Sequence, residues 1–514
     1  MVRVPGLRTA AVAVVGACAI AALAAGASAR SLISKHAAAS GTVVFANTSS
    51  VQKLDPDVVT NFVDFQALHL IYDTLVTYND KLQLTPGLAT SWSFSNGGKT
   101  ITFQLRKNVN FTDGTTFTSA NVVASLNRVK NPKTADAASS FIASVTKIVP
   151  DGTYAVKLQL SHPDASVLNG LTSLNLAMLS TKSIAAGTLS KTPIGTGPYQ
   201  FVSWVPNNSF TVKANPGWWG GKVTVPQVEI KTIPNEQSIA SALQAGTVQI
   251  GLMTQPQITE HLASPISVQK VLDLSYRALM LQDRTGPLAN LHNRLAMACA
   301  LDRQAVLRSS VLGQGKVIGP VPLGPYASNP ISAVCPTQNI SMAKSHLQKA
   351  GNPGGFTFTA MTSTDLDATS SAQAIAVQSQ LKQAGITMKI QNLASNAYIQ
   401  NWLKGKFQAA FAENDADPNP YTMYGRYFAP GANLGIPSGY SSAALQRILT
   451  KSDSVTTPAA AAAQFKALST YLTANAVWLW LFDGYVYAAV TSNVHGFSLP
   501  PTRELNSIAK ATVS

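Results

Sequence analysis

Cysteine is scarce in this 514-residue chain: Cys18, Cys299 and Cys335 are all it has. That excludes a disulfide-built scaffold and any module held by a cysteine zinc cluster. Charged residues are scarce too, at 12%, whereas 46% are hydrophobic, so the chain is globular and no disordered polyelectrolyte. The charge leans basic, with 38 Lys and Arg against 23 Asp and Glu and a net +15. A basic balance can serve nucleic acid or anionic surfaces. Here the basic residues are scattered, without a basic run, zinc-finger or RNA-binding motif, which argues against a nucleic-acid partner. Beyond the N-terminus no stretch approaches the twenty or so apolar residues that a membrane span requires. The histidines (His36, His69, His162, His261, His292, His346 and His495) never take metal-ligand spacing. A nucleophile elbow, a P-loop and a dinucleotide fingerprint are all lacking. The expectation is a chain that is not an enzyme and uses neither cofactor nor metal.

The N-terminus is where the apolar residues do run together. Arg3 and Arg8 precede an Ala-, Val- and Gly-rich stretch over residues 9–25, closed by Ala27-Ser28-Ala29. This is the build of a secretory signal peptide over 1–29, and it predicts an exported protein that begins at Arg30. Val15-Gly16-Ala17-Cys18 loosely resembles a lipobox, so Cys18 has two readings: a residue inside the signal, or a lipid attachment site on the outer face of the membrane. After export only Cys299 and Cys335 remain. In an oxidising compartment they are a possible disulfide, worth roughly 3–4 kcal/mol by chain entropy. The alternative is two buried free thiols.

A chain this long exceeds one core, and two or three lobes are expected. Residues 30–41 read as a tether and Thr42–Ala46 as a first strand. The stretches 99–105 and 154–160 alternate apolar and polar residues as half-buried strands do. Phe117–Arg128 reads as a helix with Thr118 or Ser119 as its cap. In the second half, Asn293–Leu312, Ser341–Ala350, Ala372–Ala384 and Pro458–Ala476 read as helices. Ile386–Gln391 and the aromatic stretch Trp478–Tyr487 read as strands. The mixture lacks strict βαβ repetition, so the fold class is α/β with several lobes.

Spaced segments carry a resemblance. They include Leu54-Asp55-Pro56, Ile71 through Val76, and a block from Gly98-Lys99-Thr100 through Leu105-Arg106-Lys107, Asp113-Gly114 and Phe117-Thr118. Later come Pro193 through Tyr199 (PIGTGPY), Asn215-Pro216 with Trp218-Trp219, Ala300 through Arg303, and Asp417-Pro418. In this order and spacing, from about residue 42 to 490, the chain resembles the family 5, peptide/nickel-type extracellular solute-binding proteins of ABC importers. The resemblance implies a periplasmic-binding-protein-like two-lobe clamp (type II, three-domain variant). Lobe I would take 42–72, 186–277 and 485–514; lobe II would take 278–484; a small domain at 73–185 would be inserted. It also implies a peptide or other small-molecule ligand, the membrane permease subunits of an ABC importer as partners, a monomer, and a periplasmic or cell-envelope location. A non-transporting ligand sensor or scaffold on the same fold, or a binder of a non-peptide solute such as a sugar or metal chelate, stays open. The PIGTGPY motif itself reads as an architectural turn, its glycines allowing a tight backbone path.

Within the family, members that take free-amine peptides hold the ammonium on an aspartate four residues before the Asp/Glu-Pro step. In Phe407–Pro420 (FQAAFAENDADPNP) that count lands on Asn414, with Asp415 beside it. Asn offers only a dipole, so either Asp415 takes over or the ligand is not an ordinary free-amine peptide. The aromatic strand adds Trp480, Phe482 and Asp483 as candidate cleft residues. By the same resemblance Phe411, Thr60, Phe62, Phe141, Leu252 and Met253 fall near pocket positions.

Overall fold

The computed structural model describes residues 41–136, 138–272, 274–321, 334–430, 432, 434–455 and 458–514. The signal-peptide reading and Cys18 lie outside the described residues.

The first strand, Thr42–Asn47, is buried along its whole length. It lies parallel to Gln227–Thr232 on one side and to Ile250–Met253 on the other. These belong to a large mixed sheet that runs, edge to edge, through Thr387–Asn392, Thr357–Thr362, Ala409–Asp415, Ser275–Leu281, Trp478–Val490, Ile250–Met253, Thr42–Asn47, Gln227–Thr232, Ser209–Ala214 and Tyr199–Val205. A separate four-stranded antiparallel sheet joins Ala89–Ser95, Thr100–Leu105, Ala155–Leu160 and Val145–Pro150. The alternation read in 99–105 appears there as Ile101, Phe103 and Leu105 pointing inward.

Separate hydrophobic cores form around these elements. One gathers Val43, Phe45, Ala67, Phe210, Ile230 and Val486. A second gathers Leu279, Leu295, Cys299, Leu347, Phe358 and Phe482, and a third lies on the other face of the same strands around Tyr276, Tyr424, Trp478 and Trp480. A fourth core belongs to the small antiparallel sheet and runs from Leu75 to Met178.

Local sequence explains the helix ends. Thr118 and Asn121 form a reciprocal capping box at the start of Ser119–Lys130. The stretch 293–312, read as one helix, is two: Leu291–Ala300 and Arg303–Val311. Between them Leu301 is extended, and the Asp302 carboxylate accepts from Ala305 N at 2.9 Å, so an N-cap interrupts an apolar pattern that continues across the break. Cys299, in the first of these helices, is disulfide-bonded to Cys335, with a Cα–Cα distance of 5.0 Å. The PIGTGPY turn is architectural. A Cβ on Gly195 would lie 2.0 Å from the Ile71 carbonyl oxygen, and Thr196 donates to Asp73 at 2.7 Å.

Candidate functional site

The strand Trp478–Val490 contributes to three of these cores. Its first part pairs with Ser275–Leu281, and its last part pairs with Ile250–Met253 and Ser267–Leu272. Register slips between Arg277 and Ala278, so Arg277 faces Phe482 while Ala278 faces Trp480. Such a bulge re-aims side chains. Just beyond it stand Asp483 and Gly484, the point where the strand leaves the second and third cores for the first.

A network of buried charge surrounds that point. Arg277 is 4% exposed and is flanked by two carboxylates, Asp367 Oδ2 at 3.2 Å and Glu413 Oε2 at 3.4 Å. A Cβ at position 484 would come within 3.2 Å of its Nη1, so Gly484 makes room for the guanidinium. Gln373 donates to Asp367 at 2.7 Å, and Arg277 lies over the Phe482 ring at 5.5 Å. The other Glu413 oxygen meets Arg503 Nη2 at 3.1 Å. Arg503 comes from the C-terminal segment, stacks on Phe62 at 4.2 Å, and its carbonyl accepts from Gln66 at 2.9 Å. It adopts a left-handed backbone conformation, φ 58°, an unfavourable state for a residue with a side chain and one often found at functional sites. The network therefore links the core containing the Phe62–His69 helix to the strands of the second and third cores.

Burial sets the protonation of these groups. It works against charge on Arg277, but Glu413, Asp367 and Asp483 outweigh it and keep the guanidinium protonated. Arg503 is lowered by burial to about 9 and stays charged at neutral pH. Glu413 is pushed up by burial, with Arg277 pulling the other way. Asp483 is pushed far up by burial, and Arg277 offsets only part of that. It is fully buried, and the Ser275 hydroxyl beside it also favours its ionised form.

The turn after Ala409–Asp415 forms a second charged group. Arg426 Nη2 donates to the Asp415 carbonyl at 3.1 Å, and its charge partly offsets the burial that raises the Asp415 carboxyl. Burial raises Asp417 to about 7 against the pull of the Asn419 N–H, Arg426 and Tyr78. Asn419 caps the helix Pro420–Phe428 and also donates to Asn169 at 3.1 Å, while Asn169 donates to the Tyr78 hydroxyl at 2.9 Å. Asn414 points to the opposite face of its strand. It accepts from the Tyr427 hydroxyl at 3.1 Å, and its amide faces the Met280 sulfur.

The remaining candidates spread over several environments. Trp480 is buried, with its indole N–H donating to the Tyr424 hydroxyl at 2.9 Å. Phe482 and Phe411 are buried in the second core, Leu252 and Met253 are buried, Phe141 packs half-buried on Gly170, and Thr60 is exposed. Among the candidates, Phe62, Phe482 and Asp483 are the ones brought to the charged network. Its other members, Arg277, Asp367, Glu413 and Arg503, were not singled out in the sequence. One signal was available: an arginine inside the otherwise apolar strand SYRALML has to be paired if buried. A polar cavity of about 150 Å³ adjoins this region, between Tyr78, Asn79 and Asp80 on one side and Pro501, Thr502 and Glu504 on the other. Among the described residues no group of three or more His, Cys, Asp or Glu could hold a metal ion, and no helix is long and apolar enough to cross a membrane.

Comparison with known proteins gives this geometry a context. The chain is 26% identical over 492 residues to the probable D,D-dipeptide-binding periplasmic protein DdpA of Escherichia coli strain K12, covering 91% of this chain and 94% of the relative. It is 26% identical over 385 residues to a glutathione-binding protein, GsiB, of another Escherichia coli strain, covering 70% and 71%. Among solved structures, the ABC transporter-associated periplasmic binding protein DppA of Helicobacter pylori, in complex with the peptide STSA, superposes with a TM-score of 0.80 at 25% identity, covering 92% of this chain and 98% of that one. The fold is therefore the mixed α/β, two-lobe clamp of periplasmic binding proteins. The model of bacterial extracellular solute-binding proteins, family 5, matches residues 83–435, well over half of the sequence, and the chain belongs to that family.

Proposed function

We propose that the chain is the extracytoplasmic receptor of an ABC importer, which captures a small peptide or peptide-like solute between its two lobes and delivers it to the permease. Lobe I comprises 42–72, 186–277 and 485–514, lobe II comprises 278–484, and 73–185 form the inserted small domain. The observation that carries the reading is the buried network in which Arg277, Arg503 and Phe62, from lobe I, meet Glu413 and Asp367 of lobe II. Buried ion pairs contribute little net stability and leave a heavy cost when one partner is missing, so their concentration at a junction between lobes favours a recognition role. The names of the relatives supply the ligand class: a D,D-dipeptide, glutathione and a tetrapeptide are all short and peptide-like. Closure of such a clamp presents one surface to a membrane partner only when ligand is held.

The test is mass spectrometry of ligand retained through gentle purification. Calorimetry and small-angle scattering with dipeptides, D,D-dipeptides and glutathione follow. Binding accompanied by compaction, and by stimulated ATP hydrolysis in a reconstituted permease, is the expected result. Failure of every short peptide to bind or to compact the protein would overturn the reading.

A further inference from the structure

In the division given above, the inserted small domain 73–185 is fixed to lobe I at several points. Arg128 pairs with Asp55 and with the fully buried Asp57. Asn175 donates to the carbonyls of Pro56 and Val59, at 2.7 and 3.1 Å. Asp73 accepts from Thr196 at 2.7 Å and from the Trp219 indole at 2.8 Å, and Thr112 N donates to the Gly195 carbonyl at 2.9 Å. A domain held in this way travels with lobe I. It also touches lobe II, at the turn Asp417–Asn419. The Asn419 oxygen accepts from Tyr421 N and Thr422 N and caps the helix Pro420–Phe428, which leaves the NH2 group of the same amide to donate to Asn169 Oδ1 at 3.1 Å. Asn169 in turn spends its own NH2 group on the Tyr78 hydroxyl at 2.9 Å, so its oxygen is the atom left for Asn419. Tyr78 lies beside the Asp417 carboxyl. Bonds inside each domain thus fix which end of each amide faces the other, and donor and acceptor are matched before they meet.

We propose that the small domain is a latch on the clamp: it moves as one body with lobe I and, through Asn169 and Tyr78, grips the Asp417–Asn419 turn of lobe II when the lobes are shut. The inference rests on the receptor reading and its division into lobes, and it gives the inserted domain a role there. The gripped turn follows directly on the strand Ala409–Asp415, whose Glu413 meets Arg503 of lobe I at 3.1 Å. One short segment of lobe II is therefore held at two places, by lobe I through an ion pair and by the small domain through an amide pair. Opening the lobes gives Asn169 and Asn419 to water, which replaces the lost bond at modest cost. Such a contact adds little to the stability of the fold. It shifts the balance between shut and open, and apparent affinity follows the shut fraction. Neither amide has to touch the solute for this.

The experiment is a double-mutant cycle on the full mature chain with Asn169→Ser and Asn419→Ser. Serine keeps a capping hydroxyl at position 419, and at either position it is too short to span the gap. Spin labels on Lys147→Cys in the small domain and Lys389→Cys in lobe II, both exposed, report the separation by pulsed electron resonance, with and without Ala-Ala. Calorimetry and stopped-flow follow the binding of Ala-Ala itself. Each single variant is expected to move the label distances toward longer separations. Each should also weaken Ala-Ala about five- to ten-fold, mainly through faster dissociation, with the ligand-free melting temperature unchanged. The double variant should be no weaker than either single one, because both remove the same bond. Distances and affinity that match the wild type in both single variants, or effects of the two that multiply, would overturn the latch. Failure of Ala-Ala to bind the wild-type chain counts against the peptide-receptor reading alone, since the label distances of the ligand-free chain still decide the latch.

Discussion

Replacing Arg277 by Met removes the cation shared by Asp367, Glu413 and Asp483. Two ion contacts, at 3.2 and 3.4 Å, are lost, along with the guanidinium over Phe482 at 5.5 Å. Glu413 keeps Arg503, and Asp367 keeps Gln373 and Thr369 as donors, so the carboxylates are only partly abandoned. Breaking one side of a buried pair costs about 3–5 kcal/mol. The retained donors place this site toward the lower end, about 3 kcal/mol. The sign with pH follows from linkage. Without Arg277 nothing comparable offsets burial at Glu413 and Asp483, so their folded-state pKa values rise further, the variant binds protons that the unfolded chain does not, and its deficit grows as pH rises from about 4 to 8. Urea unfolding of both proteins at pH 5 and pH 8 measures this. A loss below about 1 kcal/mol at pH 8, or the same loss at both pH values, would refute the network as described. Arg277→Lys should recover little, since a point charge cannot serve two carboxylates as the planar fork does.

Other outcomes follow from other parts of the chain. The Cys299–Cys335 bridge predicts an intact mass lower than that of the dithiol by two hydrogens, and Cys299→Ala should cost about 3–4 kcal/mol of stability; full maleimide labelling of native oxidised protein would contradict it. If Asp415 holds a ligand ammonium, Asp415→Asn should weaken binding by about 2–5 kcal/mol. Asn414→Asp should chiefly destabilise the fold, because that side chain lies against Tyr427 and Met280; calorimetry with thermal melts on both variants separates the effects. The Nδ1 atoms of His292 and His346 lie 3.1 Å apart, and burial followed by His292 lowers the affinity of His346 for a second ring proton. The folded state resists that proton, so this contribution is full above about pH 6.5 and is lost as pH falls; His346→Gln should flatten stability over that range. Intact mass of the exported protein should begin at Arg30, or at an acylated Cys18, and an unprocessed Met1 in the envelope fraction would exclude both.

Much of the architecture was legible because its signals are local. Alternation in 99–105, the Thr118 cap and the Gly385 stop before the strand at 387 each depend on a few neighbouring residues. The break at Leu301-Asp302 escaped because apolar spacing persists through it, and only the capping carboxylate marks the end. The charged network was hidden for a different reason: positions 277, 367, 413 and 503 are far apart and individually unremarkable, and only the fold assembles them. The ENDADP segment shows the limit of counting along a chain. In a strand, neighbouring side chains point to opposite faces, so the step from 414 to 415 or 413 decides between the Tyr427 side and the charged side. The sequence count identifies the strand, and its facing follows from the register with Ser275–Leu281.

The crossing strand has a mechanical consequence. The strands Ser267–Leu272 and Ser275–Leu281 each run antiparallel to Trp478–Val490, one on either side of the junction. Such a ribbon behaves as a leaf spring: it flexes readily out of its plane, whereas sliding one strand past the other would require breaking the ladder. Relative travel of the two halves would thereby be confined to nearly one coordinate, and at Asp483-Gly484, where the ladder changes partners, the short strand Gly315–Val317 backs the ribbon. Asp483, its pKa raised by burial that Arg277 only partly offsets, sits at that point.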